Sequence, residues 1–534
     1  MERIIARTLG NEGQGIGNLI SGKVFFAEGL LPGEEAEAEV ISEKQKILIA
    51  EVKERLNDSD QRVIPPCRNF GICGGCDLMH MSEELELSFK KDKVKDALRR
   101  IGGIDTEVRD IIDSPRRYNY RNHMQYVISG TDIGLRSKKS SDFSCADGCL
   151  IEYEAFTRIK EVIRKCLSDH PTTLFSSLIL RGSERTSEYL AEFVTEEDRS
   201  HEILIRDAKA YAEGMDLFAK MEEASGGKLT GIVLQICSDK TAKRTRSGKR
   251  VTLYGVDYYR EKLCGRLFRI RSGAFFQVNT EGAEQLYGLV REVVKDAQVI
   301  YDLFCGTGSI GLCCASEDTR LFGIEVSPEA VSSAKINAGL NGIRNATFVI
   351  KQAERFDFGK GDLPKPDAVI VDPPRKGMDI ALITKLRKLA PEKIIYVSCD
   401  PATLARDLKN LSCDYEIISA TPVNMFPFSH HVETVVLLSK GNISSQNVRV
   451  EFSLEDMDMS RFQQGATYEQ IQEWVQEKYG FHVTHLNIAQ VKRKHGIIER
   501  ENYNKPKSPD SKQPGCPEEK TRAIEEALRY YQMI

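Results

Sequence analysis

The chain has 534 residues, 41% of them hydrophobic and 29% charged, with a formal net charge of −4. That length supports three or four domains with their own cores, and that charge excludes indiscriminate coating of nucleic acid while leaving room for a local basic groove. There is no run of about 18 apolar residues, and Met1-Glu-Arg-Ile-Ile-Ala6 lacks the apolar stretch of a secretory signal, so a cytoplasmic protein without a membrane span is expected.

Residues 1–57 alternate short β-type stretches with glycines: Gly13-Gln-Gly-Ile-Gly17, Lys23-Val-Phe-Phe26, the turn Gly29-Leu-Leu-Pro-Gly33, and Glu35-Ala-Glu-Ala-Glu-Val40 at the strand period. This predicts a small five-stranded OB-type barrel, an architecture that commonly binds oligonucleotides. The segment resembles the TRAM domain at the front of RNA-modifying enzymes, which implies contact with RNA; a barrel used only for packing is the plain alternative.

Cys67-x5-Cys73-Gly-Gly-Cys76 follows, with Pro65-Pro66 and several glycines around it. Two thiolates at C-x2-C can begin a zinc site, and four cysteines can equally hold an iron–sulfur cluster. Cys166, Cys237, Cys264, Cys313 and Cys314 sit singly inside apolar segments, so they read as buried reduced thiols, not as a secreted disulfide framework. A helix capped by Ser82, with Phe89, Val94 and Leu98 on its apolar side, carries a lysine- and arginine-rich face of the kind that is usually solvated. Tyr118-Asn-Tyr-Arg-Asn122 then leads into a mixed α+β region, making 58–270 the second expected domain.

From 271 to 440 strands and helices alternate as in a doubly wound, Rossmann-like α/β sheet. Strands are expected at 298–304, 320–325, 367–371, 393–398 and 432–438, and Ser327-Pro-Glu329 opens a helix. Asp302-Leu-Phe-Cys-Gly-Thr-Gly308 is a glycine turn between a strand and a helix, and Glu325 ends the next strand, where an acid accepts ribose hydroxyls. The spacing Gly306, Gly308, Gly311 also occurs in unrelated helices, so the turn alone is weak evidence. Asp372-Pro-Pro-Arg-Lys-Gly377 and Ile394-Ile-Tyr-Val-Ser-Cys399 then end apolar strands where such sheets deliver their ligands, which makes Cys399 a candidate nucleophile.

In this order, with Phe275-Phe-Gln-Val-Asn279 in front, Ser398-Cys-Asp-Pro-Ala-Thr-Leu-Ala-Arg-Asp407, and Phe426-Pro-Phe-Ser-His-His-Val-Glu433 behind, the segments resemble the S-adenosylmethionine-dependent RNA uracil-5-methyltransferases. The resemblance covers about residues 1–440. It implies cofactor contacts at Gln277, Phe304, Glu325 and Asp372, with Asp302 and the glycines shaping the loop. It makes Cys399 the nucleophile at carbon 6 of uracil and Glu433 the base that removes the carbon-5 proton. It also implies a [4Fe–4S] cluster on Cys67, Cys73, Cys76 and Cys149, with Cys145 close enough to compete. The family usually has aspartate at Asn424 and histidine at Phe428, so positioning or target choice is expected to differ. Arg375, following the Pro-Pro pair, separates this reading from cytosine-5 enzymes, which place a cysteine there, and from amino-methylating enzymes, which place an aromatic.

With a barrel and a cluster the chain resembles the family's large-subunit ribosomal RNA enzymes more than its compact transfer-RNA ones, which implies 23S ribosomal RNA as substrate, with transfer RNA as the alternative; no obligate protein partner is evident. Two other readings compete. A radical-SAM RNA-modifying enzyme would need C-x3-C-x2-C, which the first cysteine gap does not match. A non-catalytic RNA-binding or assembly protein would keep its RNA affinity after loss of Cys399. Residues 441–534 form a mainly helical extension of unassigned role. Thr467-Tyr-Glu-Gln470 opens a helix with Ile471, Trp474 and Val475 inside, a Pro/Ser/Lys-rich loop spans 504–517, and a last helix runs from Glu518 to Tyr531; the basic run Val491–His495 reads as a solvated face.

Overall fold

The computed structural model describes residues 2–19, 21–44, 47–138, 143–145, 148–196, 198–237, 248–359, 363–440, 468–495 and 516–530, in two compact units, Met1–Ile443 and Ser444–Ile534. At the front, β1 (Glu2–Ile5), β2 (Thr8–Leu9), β3 (Gly15–Asn18), β4 (Val24–Ala27), β5 (Glu35–Lys44) and β6 (Ile47–Arg55) form one sheet in the order β1-β5-β6-β4-β3-β2. Its two edges, β1 and β2, are halves of one run broken at Ala6–Arg7, so a single segment joins both edges. That break turns the expected five strands into six. Close approach at the seam requires Gly17, where a Cβ would stand 2.2 Å from the Ile5 carbonyl oxygen. The alternation read in Glu35–Val40 places Ala36 and Ala38 inward, against Phe25 and Leu48.

Helix α1 (Glu83–Ala97) starts where Ser82 Oγ accepts the Leu85 N–H at 3.1 Å and runs on into a π-turn, Leu98–Gly102. Its lysine-rich face is not simply solvated: Lys90 and Glu86, one turn apart, are fully buried.

A second sheet has the order β13-β12-β11-β10-β7-β8-β9, built from β7 (His123–Ser129), β8 (Asp132–Arg136), β9 (Phe143–Cys145), β10 (Ser177–Ser183), β11 (Glu188–Thr195), β12 (Lys228–Ile236) and β13 (Lys249–Gly255). Helices α2 (Glu154–Asp169), α3 (His201–Gly214) and α4 (Leu217–Ser225) cover one face. The other meets a hairpin, β14 (Tyr258–Leu263) and β15 (Arg266–Arg271), so every residue of β10 and β11 is buried.

After α5 (Thr280–Val294), capped by Asn279, comes a third sheet in the order β18-β17-β16-β19-β20-β22-β21. Its strands are β16 (Val299–Leu303), β17 (Arg320–Glu325), β18 (Ala346–Ile350), β19 (Ala368–Val371), β20 (Lys393–Ser398), β21 (Tyr415–Val423) and β22 (Glu433–Lys440). Strands β16 to β20 are parallel and β22 runs against both its neighbours. Helices α6 (Ser309–Cys314), α7 (Pro328–Leu340), α8 (Ile380–Leu389) and α9 (Pro401–Leu411) complete a doubly wound, Rossmann-like fold. Strands β18 and β21 were not expected from the apolar runs. Both are edge strands with exposed positions, and β21 carries Pro422, which reads against a strand.

In the second unit α10 (Tyr468–Tyr479), α11 (His485–Lys494) and α12 (Glu518–Tyr530) enclose Ile471, Val475, Ile488 and Ile524. Thr467, Tyr531 and most of 504–517 lie outside the described residues; a capping box is present instead at Thr484 and Asn487. Within the basic run, Lys492 is buried with its ammonium 4.6 Å from the centre of the Tyr468 ring, not solvated. Among the described residues no helix is long and apolar enough to cross a membrane.

Candidate active site

Open α/β sheets bind ligands outside the carboxyl ends of their parallel strands, and the sequence-predicted residues gather at that edge. Beyond β16, Phe304 adopts φ 64°, a strained value for a side chain of this size, with its N–H donating to the Ile324 carbonyl at 2.9 Å. Gly306, at φ 54°, leaves open space where a Cβ would sit, and its N–H donates to Glu325 Oε2 at 3.1 Å. Glu325 Oε1 accepts the N–H groups of Val326 and Ser327 at 2.8 and 2.9 Å, so the carboxylate at the end of β17 is held by backbone. Gln277 is buried just ahead of α5, its carbonyl accepting Asn122 Nδ2 at 3.0 Å.

Asp302 accepts the Gly311 N–H through Oδ2 at 2.9 Å, which shapes the turn, while its buried Oδ1 has no hydrogen-bond partner. Burial raises its pKa to about 8, helped by Asp372 and Glu325. Asp372, directly after β19, is raised by burial to about 7. A sheet edge carrying buried carboxyls, one with an orphaned oxygen, fits a cationic ligand such as the sulfonium of S-adenosylmethionine, which would relieve their burial. Gln277, Phe304, Glu325 and Asp372 are the residues that would hold it.

Cys399 lies between β20 and α9, whose N-terminus is capped by Asp400 accepting the Thr403 N–H at 2.8 Å. In the antiparallel β20–β22 ladder Ser398 faces Thr434, so the next step in register sets Cys399 beside Glu433. Glu433 is buried, 6% exposed. Burial, then Asp372, raises its pKa to about 8, against the pull of Arg375. Burial, then Glu433 and Asp372, raises the Cys399 thiol to about 12, again against Arg375. A helix N-terminus favours a thiolate, but here desolvation and two acids win. In the ligand-free protein the thiol and the Glu433 carboxyl both hold their protons at neutral pH.

The turn between β21 and β22 is held by a buried network. Lys90 Nζ donates to Glu86 Oε1 at 2.7 Å, Asn424 Oδ1 at 2.6 Å and the Phe426 carbonyl at 3.0 Å. Asn424 Nδ2 donates to Asp113 Oδ1 at 2.6 Å, and Arg117 bridges Asp113 and Glu86. Glu86 also accepts the N–H of Phe428, which sits at φ 68°. Lys93 Nζ donates to the His430 carbonyl at 2.9 Å, and burial lowers its pKa to about 8. The two departures noted in the sequence, Asn424 and Phe428, therefore belong to one network. Lys90 and Glu86 were missed; their i, i+4 spacing next to Phe89 was the available signal.

Cys67, Cys73, Cys76 and Cys149 share one environment. Cys67, Cys76 and Cys149 pack with Phe70, Met79, Tyr120 and Ile151, and the Gly75 N–H points at Cys73 Sγ at 3.3 Å. Burial, then repulsion from the neighbouring thiols, holds Cys76 well above the ordinary thiol range, and burial with Glu152 raises Cys149 to about 11. Among the described residues no three His, Cys, Asp or Glu side chains group as a metal ion requires. The Cys145 side chain is not among those described. Cys166, Cys237, Cys313 and Cys314 are buried and in no disulfide, as expected, but Cys264 is only half-buried, because it lies in the turn between β14 and β15.

Residues 241–441 match the family model of tRNA (uracil-5-)-methyltransferases, and residues 3–53 that of the TRAM domain. A Clostridium tetani protein named an uncharacterized RNA methyltransferase is 34% identical over 442 residues, 81% of this chain and 94% of that protein. A Caldanaerobacter subterraneus protein of the same designation is 35% identical over 449 residues, 80% and 96%. The crystal structure of Pyrococcus abyssi tRNA (uracil-54, C5)-methyltransferase in complex with S-adenosyl-L-homocysteine superposes with a TM-score of 0.66 at 26% identity, covering 82% of this chain and all of that one. Likeness of this extent, carried by a sheet edge that sets a thiol beside a buried carboxyl, means that the chain belongs to the S-adenosylmethionine-dependent RNA uracil-5-methyltransferase family.

Proposed function

We propose that the protein methylates carbon 5 of a uridine in 23S ribosomal RNA, with Cys399 as nucleophile and Glu433 as proton acceptor. The observation that supports the chemistry is the register of β20 and β22, which brings a thiol and a buried carboxyl side by side next to Asp372; the choice of ribosomal RNA rests on the barrel and the cysteine cluster. Carbon 5 of uracil is too weak a nucleophile to take a methyl group unaided. With a cation seated beside it the Cys399 thiol gives up its proton to solvent, and addition of the thiolate to carbon 6 makes carbon 5 an enolate carbon that can attack. Bound S-adenosylmethionine supplies the electrophilic methyl group. Glu433 then takes the proton from carbon 5, and Cys399 leaves as carbon 6 re-forms its double bond. A positive charge set beside Asp372 and Glu433 lowers the pKa of both, which readies Glu433 to accept that proton.

Gln277, Phe304, Glu325 and Asp372 position the cofactor in this reading, and the barrel holds RNA. A uridine must leave its stack to reach Cys399, which favours a loop. Cys67, Cys73, Cys76 and Cys149 hold a [4Fe–4S] cluster in this reading, supported by their shared environment and mutual electrostatics. Methyl transfer moves no electron, so the cluster holds structure or RNA. A cytoplasmic site of action accompanies this function.

Transfer RNA is the second reading, favoured by the substrate of the Pyrococcus abyssi enzyme. Tritium release from carbon-5-labelled uridine, with anaerobically purified protein, decides between them. Release from ribosomal RNA that disappears with Cys399→Ala is the expected result. Release from transfer RNA alone keeps the chemistry and overturns the substrate.

A further inference from the structure

Cys264 stands where its residue type is unexpected. The β14–β15 hairpin closes through a two-residue turn, Cys264-Gly265, with φ of 51° and 77° and Leu263 paired to Arg266. Two positive φ values make this a type I′ turn, whose first position ordinarily takes asparagine, aspartate or glycine. The Cys264 N–H donates to Glu284 Oε1 at 2.7 Å, anchoring the turn on α5.

The turn presents its half-buried thiol to α6. Cys313, on α6, directs its sulfur at this turn, 3.8 Å from the carbonyl of Leu263, the residue before Cys264. Cys314, the next residue, directs its sulfur elsewhere, 3.8 Å from the Tyr287 carbonyl. The Cys313 thiol, with Arg291 and Arg185 nearby, outweighs burial and Glu284 and lowers the Cys264 pKa. Burial holds Cys313 and Cys314 well up. An accessible thiol with thiolate character beside a buried second thiol is the arrangement found in reversibly oxidised pairs.

We propose that Cys264 and Cys313 form an oxidation site for hydroperoxides, separate from the methyl-transfer centre, whose product is a disulfide between the hairpin tip and α6. The Cys264 thiolate attacks the peroxide oxygen, the O–O bond breaks, and the departing oxygen takes a proton to leave as water or alcohol. The resulting sulfenic acid is attacked by the Cys313 sulfur. An S–S bond replaces the S–O bond, and the hydroxyl leaves as water with the Cys313 proton. Overall two thiols lose two electrons and the peroxide gains them. A dithiol reductant reverses the step.

The experiment treats the full-length, reduced protein with hydrogen peroxide, alkylates the remaining thiols, and maps peptides without reductant. The expected product is a Cys264–Cys313 linked peptide that disappears on dithiothreitol. It should form about tenfold faster than the exposed Cys413 is oxidised. Cys264→Asn, a residue the turn favours, should fold and leave Cys313 fully alkylatable, while Cys313→Ala should drive Cys264 on to sulfinic acid. Sulfinic acid at Cys264 in the unsubstituted protein, a Cys313–Cys314 link, or a rate no greater than that of Cys413 overturns the proposal.

Discussion

The fully buried ammonium of Lys90, in α1, donates at 2.6 Å to Asn424 Oδ1, 334 positions further along the chain at the end of β21. This bond, with those to Glu86 and the Phe426 carbonyl, fixes the turn that leads into Glu433. Burial lowers the Lys90 pKa, and the Glu86 carboxylate opposes that. Lys90→Met removes the cation and leaves the buried Glu86 with Arg117 as its remaining ion-pair partner. A loss of about 3–5 kcal/mol is expected, the usual consequence of removing one member of a buried ion pair. Urea unfolding measures it. Lys90→Met combined with Glu86→Gln should recover part of the loss, and strict additivity of the two would show that they do not act as a pair.

The cysteine loop is tied to the same turn. The N–H groups of Asp77 and Leu78, directly after Cys76, donate to the Phe428 carbonyl at 2.8 and 2.9 Å, and Asp77 meets His430 Nδ1 at 2.7 Å. On the proposed [4Fe–4S] reading, anaerobically purified protein carries iron and sulfide, and Cys76→Ser loses both and melts at lower temperature as the turn loosens. Cys149→Ser should behave alike and Cys145→Ser should keep its iron. Loss of iron in Cys145→Ser with retention in Cys149→Ser would reverse the ligand assignment.

Where a residue's role depends on local spacing, the sequence was readable. The alternation at Glu35–Val40, the Ser82 and Ser327 caps, and the apolar run ending at Cys399 each carry their signal within a few positions. The buried network was not readable that way. Lys90 looks like any lysine on a basic helix until a strand end more than 300 residues away supplies its acceptors. Strand β21 hid for a related reason: an edge strand needs only half its residues apolar, and Pro422 is tolerated because pairing on that outer edge is confined to isolated bridges from Val108 and Ile112. Asp302 was read as a loop-shaping residue, which its Oδ2 is. The orphaned Oδ1 is visible only once burial is known.

Three raised acids make stability depend on pH in one direction. Glu433 and Asp302 at about 8 and Asp372 at about 7 hold protons in the folded protein that the unfolded chain releases near pH 4. Stability from these groups is complete below the unfolded pKa and is lost as pH rises through the folded one. The ligand-free protein should therefore become less stable between about pH 5 and pH 8, by up to about 1.4 kcal/mol per pH unit for each group. Glu433→Gln should flatten this slope by one proton's worth. Melting temperatures of both proteins across that range test it, and identical slopes would show that Glu433 titrates normally.

Glu433→Gln also separates the two halves of the reaction. Glutamine cannot take the carbon-5 proton, but it leaves Cys399 free to add to carbon 6 and carbon 5 free to receive the methyl group. Elimination of the thiolate must wait for that proton, so the enzyme should halt as a covalent protein–RNA adduct carrying the methyl group. Tritium release should fall by about 10²–10⁴-fold, the range for loss of a general base. The adduct should survive denaturing electrophoresis and should be absent in Cys399→Ala combined with Glu433→Gln. Slow but complete turnover without an adduct would mean that another group, such as a bound water, removes the proton, and would confine Glu433 to raising the pKa of Cys399.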